Sequence, residues 1–115
     1  MMHESRGNER LERLQLLIRQ NPQEPFLPYA LGLEWEKQAN LQKAEEIWRS
    51  LLIEHPDYLP AWQRLAELYL VQKQFINALH CTKEALRCSE KTGDHHSHET
   101  ALEMLEQIEE QMKTE

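Results

Sequence analysis

The chain of 115 residues is long enough for one small domain. Its net charge of −7 disfavours binding to nucleic acid, because phosphate backbones require clustered cations. Leu, Glu, Gln, Lys, Arg and Ala dominate the composition and there is a single Val, so we predict an all-α protein.

Neither a membrane span nor an export signal is predicted. No apolar run approaches the roughly 20 residues that a membrane helix needs, and the start, MMHESRGNER, lacks the apolar core of a secretory signal. Cys81 and Cys88 lie in one predicted helix, about 10 Å apart along its axis. A disulfide between them is therefore excluded, and free cysteines favour a cytoplasmic location.

Apolar spacing and proline positions predict six helices. Their approximate ranges are 8–20, 25–38, 41–54, 59–72, 75–91 and 94–112. The last helix carries one apolar stripe, formed by Ala101, Leu105, Ile108 and Met112, among many glutamates. One-sided apolarity at the end of a helical array is typical of a capping helix, which also explains why residues 90–115 hold eight acids and only two bases.

The middle of the chain repeats with a period of about 34 residues, which is typical of stacked helix pairs. Under this shift Leu31 falls on Leu65, Gly32 on Ala66, Trp35 on Tyr69 and Ala44 on Ala78. A shift in the opposite direction places Pro56 on Pro22. We therefore predict two full helix-turn-helix units, at 25–58 and 59–92, which follow a half unit at 8–22 and precede the capping helix at 94–113 within a single domain, 1–115.

This pattern resembles the tetratricopeptide repeat (TPR) family, and in particular its small bacterial members. The resemblance covers about residues 26–89 and includes these positions: Leu31, Gly32, Trp35, Ala44, Trp48 and Pro56 in the first copy, and Trp62, Leu65, Ala66, Tyr69, Ala78 and Ala85 in the second. Pro28, Thr82 and Glu90 depart from the family pattern. The resemblance implies a right-handed solenoid of stacked helix pairs.

In this family the first helix of each unit lines a concave groove that binds a partner. Helical angles place the corresponding stripe away from the packing residues Leu31 and Trp35. The predicted partner-binding residues are Phe26, Tyr29, Leu33, Lys37, Gln63, Glu67 and Val71. Such an apolar groove with mixed charge suits an amphipathic helix or an extended apolar peptide. The sequence leaves open whether Leu70 and Val71 belong to the groove or lie under the last helix.

No combination of nucleophile, acid and base converges in the sequence, so we predict no catalytic site, no cofactor and no metal site. The predicted function is a non-catalytic interaction module for a protein or peptide partner. One alternative is a homodimer or larger assembly that uses the same apolar stripe. A second is a metal-responsive protein that uses His95, His96 and His98, although a solvated turn capped by Asp94 or Ser97 explains this cluster equally simply.

Overall fold

The computed structural model describes the backbone of residues 2–114 and the side chains of residues 7–114. Six α-helices make up this part of the chain, which contains no strand. They are α1 (Met2–Gln20), α2 (Phe26–Lys37), α3 (Leu41–Glu54), α4 (Leu59–Val71), α5 (Phe75–Thr92) and α6 (His95–Thr114). The predicted all-α class is therefore confirmed, while the predicted outer limits of the domain, residues 1 and 115, lie outside the described residues.

Five of the six helices begin and end within two residues of their predicted limits, but α1 begins earlier than predicted. The segment before residue 8 lacks apolar periodicity and contains Gly7, so it gives little helical signal. This glycine lies beside the side chain of Gln38. A Cβ at this position would lie 2.6 Å from Nε2 of Gln38, so Gly7 allows the amide end of that side chain to approach α1 closely.

Two compact units make up the chain. In the first, Met1–His55, α2 packs against both α1 and α3. In the second, Pro56–Glu115, α5 packs against both α4 and α6.

One tight turn occurs in both units, at equivalent positions of the sequence repeat. Asn40 donates its backbone N–H to the carbonyl of Trp35, and Gln74 donates to Tyr69, in both cases over 2.9 Å. The residue before each donor is left-handed, with φ of 63° at Ala39 and 59° in the second turn. This geometry closes the last turn of the preceding helix and sends the chain back as the next helix.

Replacement of Ala39 by glycine should stabilise the protein. A side chain at positive φ costs about 1 kcal/mol or more, while the extra freedom of glycine in the unfolded chain offsets part of the gain. We expect the free energy of unfolding to rise by about 0.5 kcal/mol, measured by urea titration. Ala30→Gly in the interior of α2 is the matched control and should lower it by about 1 kcal/mol. Equal losses in both variants would contradict the left-handed turn.

Small residues in the first unit accommodate one large ring. Trp48 is fully buried, as is Ala44 on the same helix. A Cβ at Gly32 would lie only 2.5 Å from Cε2 of Trp48. The indole nitrogen of Trp48 donates a hydrogen bond of 3.1 Å to the carbonyl of Tyr29. Because Gly32 has no side chain, the ring can lie directly against α2 and make this bond.

The second unit uses the equivalent positions differently. Thr82 stands where the first unit has Trp48, and it is buried and donates its hydroxyl to the carbonyl of Ala78 over 2.8 Å. Ala66, at the position equivalent to Gly32, is also buried. Thr82 on α5 is smaller than Trp48, and Ala66 on α4, which is larger than Gly32, fills part of the difference in volume.

The C-terminal helix α6 is anchored at its start and along one side. Gly93 is left-handed, with φ of 73°, and ends α5. The carboxylate of Asp94 then accepts hydrogen bonds from the backbone N–H and the hydroxyl of Ser97, at 3.1 and 2.7 Å, which makes Asp94 the N-cap. Ala101 and Ile108 are buried as the predicted stripe requires, whereas Met112 is 38% exposed.

Candidate protein-interaction surface

Four of the predicted partner-binding residues lie along one side of α2, and each is at least partly accessible. We call them the α2 face: Phe26, Tyr29, Leu33 and Lys37. Phe26 is 57% exposed and Lys37 is exposed, whereas the other two are half-buried. The α2 face therefore combines accessible apolar area with one cation at its C-terminal end.

Tyr29 is held in place by the core of the first unit. Its ring centroid lies 6.4 Å from that of Trp48, with the two planes tilted by 32°. Contact between aromatic rings at this distance is favourable. Tyr29 therefore contributes both to the core and to the surface, and Phe26 is the most exposed apolar residue of the α2 face.

The second unit places its three predicted residues in different surroundings. Gln63 and Glu67 border a small cavity of about 20 Å³, whose wall includes Thr100 and Met104 of α6. The last helix therefore covers part of the stripe that was predicted to face a groove. Glu67 also pairs with Arg64, with 3.5 Å between the charged atoms.

The two residues at the end of α4 differ in their exposure to solvent. Leu70 is buried, but Val71 is 79% exposed and thus does not lie under α6. Other exposed apolar side chains occur in the same unit at Ile76 and Met112, which line a groove of about 420 Å³ with Phe75. The exposure of Ile76 was not predicted from the sequence, because a single apolar residue in the first turn of α5 gives no periodic signal.

Two tryptophans of the repeat pattern, Trp35 and Trp62, are only half-buried. Trp62 donates its indole N–H to the carbonyl of Pro56 over 2.8 Å. The imidazole ring of His80 packs edge-to-face with Trp62, with 5.7 Å between the ring centroids. The ammonium group of Lys43 lies 5.8 Å from the ring centroid of Trp35. Each ring therefore rests on the core with one side and meets polar groups with the other.

The histidines that suggested a metal site are not arranged around a common point. Nδ1 of His98 lies 3.4 Å from the hydroxyl oxygen of Ser89, which is buried, while His95 and His96 are exposed. Among residues 7–114, no three His, Cys, Asp or Glu side chains are grouped so that they could hold a metal ion.

Both cysteines are buried thiols that form no disulfide. Burial raises the pKa of the Cys88 thiol, and its sulfur lies 3.7 Å from the carbonyl oxygen of Pro56. A raised pKa keeps the thiol protonated at neutral pH, whereas the thiolate is the nucleophilic form. Cys88 is thus placed as a packing residue.

An ion-pair network fixes the loop that enters α4. The carboxylate of Asp57 accepts hydrogen bonds from Lys91 and Arg87, at 2.5 and 2.8 Å. Arg87 also donates to the carbonyl of Pro56 over 3.0 Å. The hydrogen bond from Lys91, and then that from Arg87, lowers the pKa of Asp57 below its ordinary value of 3.8. In the sequence, Asp57 and Lys91 are only an acid and a base far apart along the chain.

The Asp57 network predicts a pH-dependent contribution to stability. Since the folded state lowers this pKa, the contribution is fully present above about pH 3.8 and is lost as the pH falls through the folded value. We expect Asp57→Asn to lower the urea midpoint equally at pH 7 and pH 5, and the difference from wild type to shrink below about pH 3.8. Glu90→Gln, which removes an exposed acid of α5, is the control. A difference that persists at low pH would contradict the pairing.

Among the described residues, no helix has the length and apolarity that a membrane span requires. No protein-family model matches the sequence, and no curated protein matches it. The fold is similar to that of a structural genomics target from Bordetella parapertussis, solved in solution. The TM-score is 0.76 with 21% sequence identity, and 91% of each chain is covered. At this identity the similarity supports the helical fold alone.

Proposed function

We propose that the chain is a non-catalytic, cytoplasmic interaction module of the tetratricopeptide type, which binds a peptide or helix of a partner protein. The α2 face is the proposed contact surface. The observation that carries the proposal is the 57% exposure of Phe26 on a helix that packs closely against Trp48 of α3 at Gly32. Aromatic side chains, including phenylalanine, are enriched in protein interfaces relative to the rest of the surface.

The tetratricopeptide assignment is supported by two features that occur at equivalent positions of both sequence copies. The first is the turn with a left-handed residue at Ala39 and Lys73. The second is the pairing of a small residue on the first helix with a buried position on the next, Gly32 with Trp48 and Ala66 with Thr82. Sequence spacing and backbone geometry therefore favour the same repeat length.

The predicted partner-binding residues of the second unit differ in how accessible they are to a partner. Val71 and Glu67 are exposed, whereas Gln63 is half-buried beside α6. We expect the apolar contacts to supply most of the binding energy and the charged residues to tune rate and selectivity.

The test is affinity capture from the cells that produce the protein, compared across variants by quantitative mass spectrometry. We expect Phe26→Ser and Leu33→Asp to lose a partner that wild type retains, with binding of the purified partner weakened by about tenfold or more. Ile53→Ser, which removes an 82% exposed apolar side chain from α3, is the matched control. If the control loses the partner and Phe26→Ser retains it, the α2 face is not the site.

Self-association is a second candidate function, favoured by the exposed side chains of Ile76 and Met112, which line a groove of the second unit together with Phe75. Apolar side chains of this size, gathered around one groove, are common in homodimer interfaces. Sedimentation velocity over a range of concentrations separates the two functions. A dimer that dissociates on Ile76→Ser would support assembly, and a monomer at all concentrations would rule it out.

A further inference from the structure

An apolar groove in the first unit lies away from the α2 face. It has a volume of about 290 Å³ and is formed by the end of α1, the following loop, the start of α2 and the second half of α3. Its apolar floor consists of Ile18, Pro22, Pro28, Ile47 and Leu51. None of the four residues of the α2 face lines it.

The rim of this groove carries negative charge from the loop between α1 and α2 and from α3. The acidic residues are Glu24, Glu46 and Glu54, with His55 as the remaining titratable group. Within residues 7–114, no lysine or arginine pairs with these three carboxylates. Their hydrogen bonds are few: Glu24 accepts the N–H of Phe26 at 3.4 Å, and Glu46 accepts from Gln42 at 3.5 Å.

The combination of floor and rim selects the chemistry of an occupant. Unpaired carboxylates on the rim repel anions and attract cations, whereas the floor gains stability only by burying apolar surface. A lysine or arginine satisfies both, because its aliphatic stem covers apolar surface while the charged head reaches the rim. A second copy of this chain, with a net charge of −7, is a poor electrostatic match.

We propose that this groove is a second docking site, which takes a basic amphipathic segment of a partner protein. Apolar side chains of the segment lie on Ile18 and Ile47, and its lysines or arginines pair with Glu46 and Glu54. The site does not rest on the proposed role of the α2 face, since the two surfaces share no residue.

The probe for this site is a synthetic helical peptide of about 14 residues that contains only leucine and lysine. Binding is measured by isothermal titration calorimetry, and the contact surface by amide chemical shifts. We expect the double variant Glu46→Gln/Glu54→Gln to weaken binding by about fivefold. The matched control Glu9→Gln/Glu12→Gln changes the net charge equally at two exposed acids of α1 outside the groove, and should leave the affinity within about twofold.

Further arms separate specific docking from general attraction. Spermine, a cation without apolar side chains, should bind far more weakly than the peptide. The variant Ile47→Ser should also bind the peptide more weakly than wild type. A circular dichroism melt of this variant verifies that it is folded. Three results would overturn the proposal: no binding of the peptide at millimolar concentration, equal weakening by the two double variants, or weakening by Phe26→Ser without an effect of Glu46→Gln/Glu54→Gln.

Discussion

Replacement of Gly32 by leucine should lower the free energy of unfolding by about 3 kcal/mol. The side chain would have to enter the space of the fully buried Trp48 ring, which has no room to move aside. Leucine is the better helix former by almost 1 kcal/mol, so the packing loss outweighs the gain in propensity. Thermal melting should show a midpoint about 10 °C or more below wild type.

A matched pair of alanine variants tests the cause of this loss. Both Gly7 and Gly32 lie within helices, and a Cβ at either position meets a neighbour. At Gly7 that neighbour is the flexible end of Gln38, so Gly7→Ala should stabilise the protein through helix propensity. Gly32→Ala should destabilise it. If both variants gain stability, α2 and α3 do not meet closely at Gly32.

Replacement of Ile108 by aspartate should unfold the second unit. Ile108 is fully buried on the side of α6 that packs into this unit. The variant loses the apolar contacts of isoleucine, a loss of a few kcal/mol, and also buries an unpaired carboxylate, which adds to the cost. We expect a loss of more than about 4 kcal/mol, measured by urea unfolding, or failure to obtain folded protein.

The control for Ile108→Asp is Leu102→Asp on the same helix, because Leu102 is 41% exposed. We expect this control to change stability by less than about 1 kcal/mol.

Deletion of residues 94–115, which removes α6, should cause aggregation or loss of cooperative unfolding. A soluble truncation with an unchanged melting curve would show that α6 does not cap the second unit.

The helices were predictable because they rest on short-range signals. Proline, helix-forming residues and apolar spacing determine where α2 to α6 begin and end. The small residues Gly32 and Ala66 signal close packing by their size alone. The start of α1 was not predictable, since the segment before residue 8 lacks apolar periodicity and contains Gly7, which has a low helix propensity.

The candidate site was predictable where one helix determines it. Angles along α2 place Phe26 and Leu33 away from the core, and the structure exposes them at least in part. Angles along α4 did not reveal that α6 lies beside Gln63 and Glu67, because that contact depends on how the chain folds back after Gly93. The acidic groove was also missed, since its residues come from separate segments with no common spacing.

Site-specific photo-crosslinking in living cells tests the proposed interaction surface most directly. A benzoylphenylalanine side chain is placed at Phe26, and at the control positions Ile53 and Leu102, which are also exposed apolar residues. We expect a defined adduct from position 26, containing a protein whose purified form binds wild type and is weakened by Leu33→Asp. Adducts from position 53 or 102 with none from position 26 would contradict a binding role for the α2 face.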